Sequence, residues 1–292
     1  MKLWSHKMLL AFFWFSGFLT LGAVCTLLLF LFARGAPSLS LELLFGDADP
    51  LKALLLRERV FDGLFPAIVG TIAVVILSVS WAIPVGIAAG IYLAEFSGQK
   101  VKKFFNLSFD ILAAIPSIVI GLFGLTVAIF LHQHFSERVY PCLLISSVAL
   151  AVLVIPYIVR TTQLSIEAVP HSIRAVGLSL GASKLQNLYH VLLPGSLSGI
   201  LSGVILSVGR AAEDTAVIML TGVVATAGIP KSILAKYEAL PFYIYYISSQ
   251  YTNQNELMTG FGAALILLVI CAFLFFVAHL LKNLLVRHLG EK

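Results

Sequence analysis

The chain has 292 residues, of which 60% are hydrophobic and 11% charged, with a mean hydropathy of +1.00 and a formal net charge of +5. That balance excludes an ordinary soluble domain and implies an all-α polytopic membrane helix bundle, read as one transmembrane domain over residues 1–292. The excess positive charge is accounted for by membrane topology, so nucleic acid is not invoked as a partner.

A crossing needs roughly 20 apolar residues, which predicts six spans at about 8–33, 65–94, 104–131, 142–159, 197–227 and 259–281. The first has a basic start at Lys2 and Lys7, but its apolar run is too long for a signal peptide and predicts a retained span. Cys25, Cys142 and Cys271 fall in apolar runs without paired spacing, which argues against a disulfide or a metal site. Between the first two spans the chain turns polar, with turn signals at Asp47, Asp49 and Pro50, and LKALLLRER reads as a short surface helix on the outside.

In the second span Pro84 predicts a kink, and Gly86-x3-Gly90 permits a close helix approach. Glu95 and Lys100 to Lys103 mark the cytoplasmic exit. Asp110 precedes Ile115-Pro116-Ser117 at the third span and is expected to face its helix dipole or to meet Lys102 or Lys103. His132 and His134 lack a third nearby ligand, so no metal site is assigned.

Residues 160–194 form a polar, proline-bounded loop that predicts two short amphipathic helices. Pro170 suits a first turn, Ile173, Val176 and Leu180 recur at helical spacing, and Gly181 stands where a left-handed residue ends the helix. Ser183 and Gln186 form a capping box for the second helix, whose Leu185, Leu188 and Leu192 make one stripe before Pro194 closes it. Gly177-Leu178-Ser179-Leu180-Gly181 satisfies G-x-S-x-G, yet no strand precedes it and no acid and histidine follow in triad order. Gly181-Ala182-Ser183-Lys184 lacks the spacing of a phosphate loop, so the chain is read as neither a hydrolase nor an ATP-binding protein.

Arg210, Glu213 and Asp214 stand at i, i+3 and i+4 within the fifth span. Charges there are costly unless paired or facing water, so they form either a packing ion pair or a polar patch on a translocation path, and the second is favoured. With all three ionised, the patch would repel an anion unless one carboxyl were protonated or a partner supplied a basic group. The aromatic segment 226–258, with Tyr237, Phe242, Tyr243, Tyr245, Tyr246 and Tyr251, is expected to form an interfacial belt. With both termini cytoplasmic, inside lysines and arginines lead outside ones by eleven to seven, which places the 160–194 loop in the cytoplasm. The outside group is Arg34, Lys52, Arg57, Arg59, Arg138, Lys231 and Lys236, and the inside group includes Lys292.

Gly181, nine intervening residues, Val191 and then Leu193-Pro194 resemble the core of the "EAA" loop of ABC-importer permeases. IPYIVRTT, VPHSIRAVGLSLGASK, VLLPGSLSGILSGVIL and GRAAEDTA, with GLFPAIVGT and IPSIVIGLFGL upstream, resemble more narrowly the shorter membrane permease of the bacterial phosphate-specific importer. The resemblance spans roughly Gly63 to Pro230 and implies a type I ABC-importer permease fold in the bacterial inner membrane. It implies phosphate as the substrate, with another oxyanion (sulfate, molybdate, tungstate) as alternative. The implied partners are a cytoplasmic ABC ATPase dimer that binds the ATP, a second permease subunit, an extracytoplasmic phosphate-binding protein and membrane lipid. No cofactor is expected in this chain. By the same resemblance Arg174, Gly181, Ala182, Ser183 and Pro194 belong to the ATPase-coupling loop, and Arg210, Glu213 and Asp214 to the substrate pathway. The chain departs from the family in three places: Gln163 and Leu164 stand for the two acids of RTTEEAL, Arg174-Ala175-Val176-Gly177 for REAA, and Arg210-Ala211-Ala212-Glu213-Asp214-Thr215 for R-A-I-G-E-T. An ion-coupled secondary transporter and a nutrient-signalling scaffold are the rival classes.

Overall fold

A computed structural model describes residues 2–54, 60, 63–135 and 140–290. Much of the expected surface helix LKALLLRER, together with Arg57, Arg59, Arg138 and Lys292 of the charge count, lies outside the described residues.

In chain order the helices are α1 (Lys2–Gly35), α2 (Leu41–Phe45), α3 (Pro50–Leu54), α4 (Phe65–Ile91), α5 (Gln99–Ala114), α6 (Ser117–His134) and α7 (Leu143–Glu167). There follow α8 (His171–Ser179), α9 (Lys184–Asn187), α10 (Leu193–Glu213), α11 (Ala216–Thr221), α12 (Leu240–Gln250) and α13 (Gln254–Gly290). Six segments are long and apolar enough to cross a membrane: Lys7–Ser38, Phe65–Phe96, Ser117–His134, Leu143–Glu167, Lys184–Glu213 and Gln254–Arg287.

The central helix is α7, buried on much of its surface from Leu143 to Ile166, with α4 and α10 packed against it. Gly86 and Gly90 make the α4–α7 approach possible, since an added Cβ would lie 2.7 Å from Ile158 and 2.6 Å from Thr162. The shared core contains Val75, Leu150, Val154, Ile158, Ala211 and Val217. By contrast α1 stands at the periphery along α13, its apolar side chains largely exposed as befits a helix bathed in lipid.

Four expectations need correction. The predicted span at 104–131 is two helices, because Ile115 is extended (φ −65°, ψ 130°) ahead of Pro116, and the apolar crossing is α6 alone. The predicted span at 197–227 ends early: α10 stops at Glu213, and after α11 the chain runs irregularly to Ala239. Pro194 does not close a helix, since a π-helical turn at Leu188–Leu192 leads straight into α10, where the proline sits in a first turn that needs no N–H from it. Tyr237 is wholly buried rather than part of a belt, because the irregular segment folds back and hydrogen-bonds the start of α7, Leu143 N to Ala235 O at 3.0 Å and Leu144 N to Ile233 O at 2.7 Å.

Candidate functional site

The 160–194 segment forms a helical knuckle. Pro170 takes the N-cap position of α8, and Gly181 adopts φ +84° just beyond its end. Ala182 N donates to Gly177 O at 3.0 Å and Gly181 N to Leu178 O at 3.1 Å, a pattern that satisfies the last carbonyls of the helix. Both bonds of the expected capping box are present: Gln186 N to Ser183 Oγ at 3.3 Å and Ser183 N to Gln186 Oε1 at 2.8 Å. The stripe divides, with Leu188 and Leu192 buried and Leu185 exposed. Ile173, Val176 and Leu180 all point outward, Leu180 being 83% exposed, and Leu185 and Tyr189 extend the same uncovered apolar surface.

What fixes the knuckle is Arg174, which resemblance alone had placed in the loop. Its Nη1 lies 2.5 Å from Glu95 Oε1, its Nε donates to Val169 O at 3.1 Å, and its Nη2 donates to Ile166 O. A guanidinium thus satisfies carbonyls at the C-terminal end of α7 while pairing with the end of α4, so Arg174 orients the loop from behind. Sequence reasoning did not connect Glu95 to it, and no local signal links residues 79 apart. Nearby, Lys102 pairs with Glu167 at 2.6 Å, not with Asp110, and Gln163 Nε2 donates to the same carboxylate at 2.9 Å.

The membrane cluster is assembled by a helix end. Arg210 Nη1 lies 3.0 Å from Glu213 Oε1, and Nη2 lies 3.4 Å from Asp214 Oδ2. Helical phase stops at Glu213, however, because Asp214 is extended (φ −78°, ψ 118°) and its Oδ1 accepts from Val217 N at 2.8 Å, capping α11. The two acids therefore part ways: the Asp214 side chain is 3% exposed and that of Glu213 65%, with Arg210 between them at 29%. The arrangement offers one guanidinium whose fork is occupied by carboxylates on both prongs, one structural and one open to whatever lies beside α10.

Residues 86–290 match the family described as "Binding-protein-dependent transport system inner membrane component". The phosphate transport system permease protein PstA of Haemophilus influenzae is 31% identical over 275 residues, covering 92% of this chain and 92% of that protein. PstA of Pasteurella multocida is 32% identical over 271 residues, covering 91% and 90%. Among solved structures, an inward-facing form of the MetNI methionine ABC transporter aligns with a TM-score of 0.58 at 18% identity, over 83% of this chain and 99% of that one. That last likeness shows the ABC-importer permease fold and nothing finer.

Proposed function

Because this chain belongs to the family of binding-protein-dependent transport system inner membrane components, we propose that it is the translocation subunit of an ATP-driven importer of inorganic phosphate. The observation that carries the reading is the knuckle: a helical corner whose apolar face, Ile173, Val176 and Leu180, has no cover within the described residues. Such an exposed apolar patch, on a loop read as lying outside the bilayer, marks a protein contact. Its partner is an ABC ATPase dimer, which binds the ATP that this chain lacks a motif to hold, so the chain itself is not an enzyme and needs no cofactor. Gly181, Ala182 and Ser183 set the corner, Arg174 ties it to α4 and α7, and Pro194 hands the motion to α10. Both termini face the cytoplasm in this topology.

Phosphate is supported by the relatives whose names carry it and by the guanidinium of Arg210 in the last turn of α10. An oxyanion passing α10 would displace the exposed Glu213 from one prong of Arg210, exchanging one charged acceptor for another, while buried Asp214 keeps the arginine oriented. A second permease subunit closes the path, and an extracytoplasmic phosphate-binding protein delivers the ion.

The test is uptake of labelled phosphate by vesicles holding this chain, a second permease subunit and an ABC ATPase dimer, loaded with the binding protein. ATP-dependent accumulation that excess sulfate and molybdate leave intact is the expected outcome. Uptake that needs no ATPase but collapses with the ion gradient would establish a secondary transporter instead, and competition by sulfate or molybdate would reassign the anion.

A further inference from the structure

Away from the knuckle and the charged cluster, the outer ends of α1, α2 and α13 enclose an open cavity of about 710 Å³, a volume typical of ligand sites. Its lining includes Arg34, Ser38, Glu42, Tyr243, Asn255 and Thr259. Arg34 lies in the last turn of α1, at the outer end of an apolar crossing, so the cavity mouth sits at head-group depth. Below it, the Phe30 ring stands over Phe261 at 5.7 Å and carries the Arg34 guanidinium at 5.9 Å, which makes an apolar seam leading into the bilayer.

The charges of the cavity are exposed, of opposite sign and not paired with each other. Among the described residues, neither the Arg34 guanidinium nor the Glu42 carboxylate has a hydrogen bond or ion pair. Two of the lining hydroxyls are already used as donors, Ser38 to Gly35 O at 2.8 Å and Met258 O at 3.0 Å, and Thr259 to Glu256 O at 2.6 Å. What they still offer is lone pairs. The cavity therefore presents one cation to an anion, and a carboxylate with several acceptor oxygens to a group rich in N–H.

We propose that this cavity, in which Arg34 and Glu42 line one space without pairing, is a binding site for the zwitterionic aminoalkyl phosphate head group of a membrane phospholipid of the phosphatidylethanolamine type. The phosphate meets Arg34, the primary ammonium meets Glu42 and the neighbouring oxygens, and the acyl chains lie along α1 and α13. A free phosphate ion fits less well, because the Glu42 carboxylate faces it with like charge. Phosphatidylcholine has no N–H to donate, and phosphatidylglycerol no cation for Glu42.

The full-length chain, delipidated in detergent, is titrated separately with phosphatidylethanolamine, phosphatidylcholine, phosphatidylglycerol and inorganic phosphate, and bound ligand is counted by native mass spectrometry. One charge-assisted hydrogen bond corresponds to roughly a tenfold preference, so phosphatidylethanolamine should bind about that much tighter than the other two lipids. Glu42→Gln should erase the preference, and Arg34→Gln should weaken all three. Arg34→Lys, which keeps the charge on an exposed side chain, should retain most of the binding and the wild-type unfolding temperature. Equal binding of the three lipids overturns the proposal, as does loss of binding in a normally folded Arg34→Lys. Arg34-dependent binding of inorganic phosphate that Glu42→Gln leaves intact would assign the cavity to the free ion.

Discussion

Arg174 and Glu95 meet at 2.5 Å, although 79 residues separate them, and their contact joins the knuckle to the end of the second span. Both side chains are about four-fifths covered, so the pair is neither a screened surface contact nor a fully desolvated one. Arg174→Ala removes the guanidinium from Glu95 and two carbonyls at once and should cost about 2 kcal/mol. The expected result is a lowered unfolding temperature together with lost phosphate uptake. Glu95→Gln should lose less, since the carbonyl bonds survive. Wild-type stability in Arg174→Ala would show that the anchor holds nothing.

Gly181 stands at φ +84°, and an added Cβ there would meet nothing within 4 Å. Any loss on substitution is therefore a backbone effect. A β-branched side chain in this region costs at least about 1–2 kcal/mol, so Gly181→Val should distort the corner and uncouple ATP hydrolysis from transport while the spans still insert. Gly181→Asn, which tolerates the left-handed region, should retain most activity. ATPase stimulation in the assembled complex reads both variants.

For Arg210, truncation to Ala leaves Glu213 and Asp214 without their common cation. Uptake should vanish, and Arg210→Lys should restore only part of it, because an ammonium cannot span the two acceptors as a fork does. Full uptake by the Ala variant, at normal membrane abundance, would remove the cluster from the pathway.

The adjacent acids should separate cleanly. Asp214→Asn keeps an oxygen to cap α11 at Val217 but loses its charge toward Arg210, so the protein should accumulate normally and transport poorly. Asp214→Ala should also lose about 1 kcal/mol of stability with the cap. Glu213→Gly lies at the last residue of α10 and is exposed, so it should cost no more than about 1 kcal/mol and leave uptake largely intact. An inactive Glu213→Gly beside an active Asp214→Asn would reverse these roles.

Glu238 gives a pH signature outside the spans. It is 7% exposed, and its Oε1 accepts from Ala227 N at 2.8 Å and Gly228 N at 2.6 Å. Burial pushes its carboxyl above the ordinary value of 4.5, against the lowering effect of those two donors. The folded chain thus holds this proton more tightly than the unfolded chain. Its contribution to stability is fully present below pH 4.5 and is lost as the pH rises through the folded value. Glu238→Gln, which keeps the acceptor oxygen, should flatten the unfolding temperature between acidic and neutral pH; an unchanged slope would clear Glu238 of the effect.

Hydropathy alone determines that this chain crosses a membrane repeatedly, because burying a crossing in lipid demands long apolar runs wherever the helices later pack. The corner of the knuckle is equally local: Gly181, Ser183 and Gln186 satisfy their own neighbours' backbone groups, so their spacing suffices to predict it. Proline is where local rules stop. Pro84 and Pro156 stay inside helices, Pro194 follows a π-helical turn, and Pro116 begins a new helix. One missing N–H carries no sign of which outcome the surrounding packing will enforce. The burial of Tyr237, the opposite exposures of Glu213 and Asp214, and the bond from Arg174 to Glu95 arose only in three dimensions. Each depends on where a distant segment lies, and side-chain periodicity along one helix holds no information about the helix that comes to rest against it.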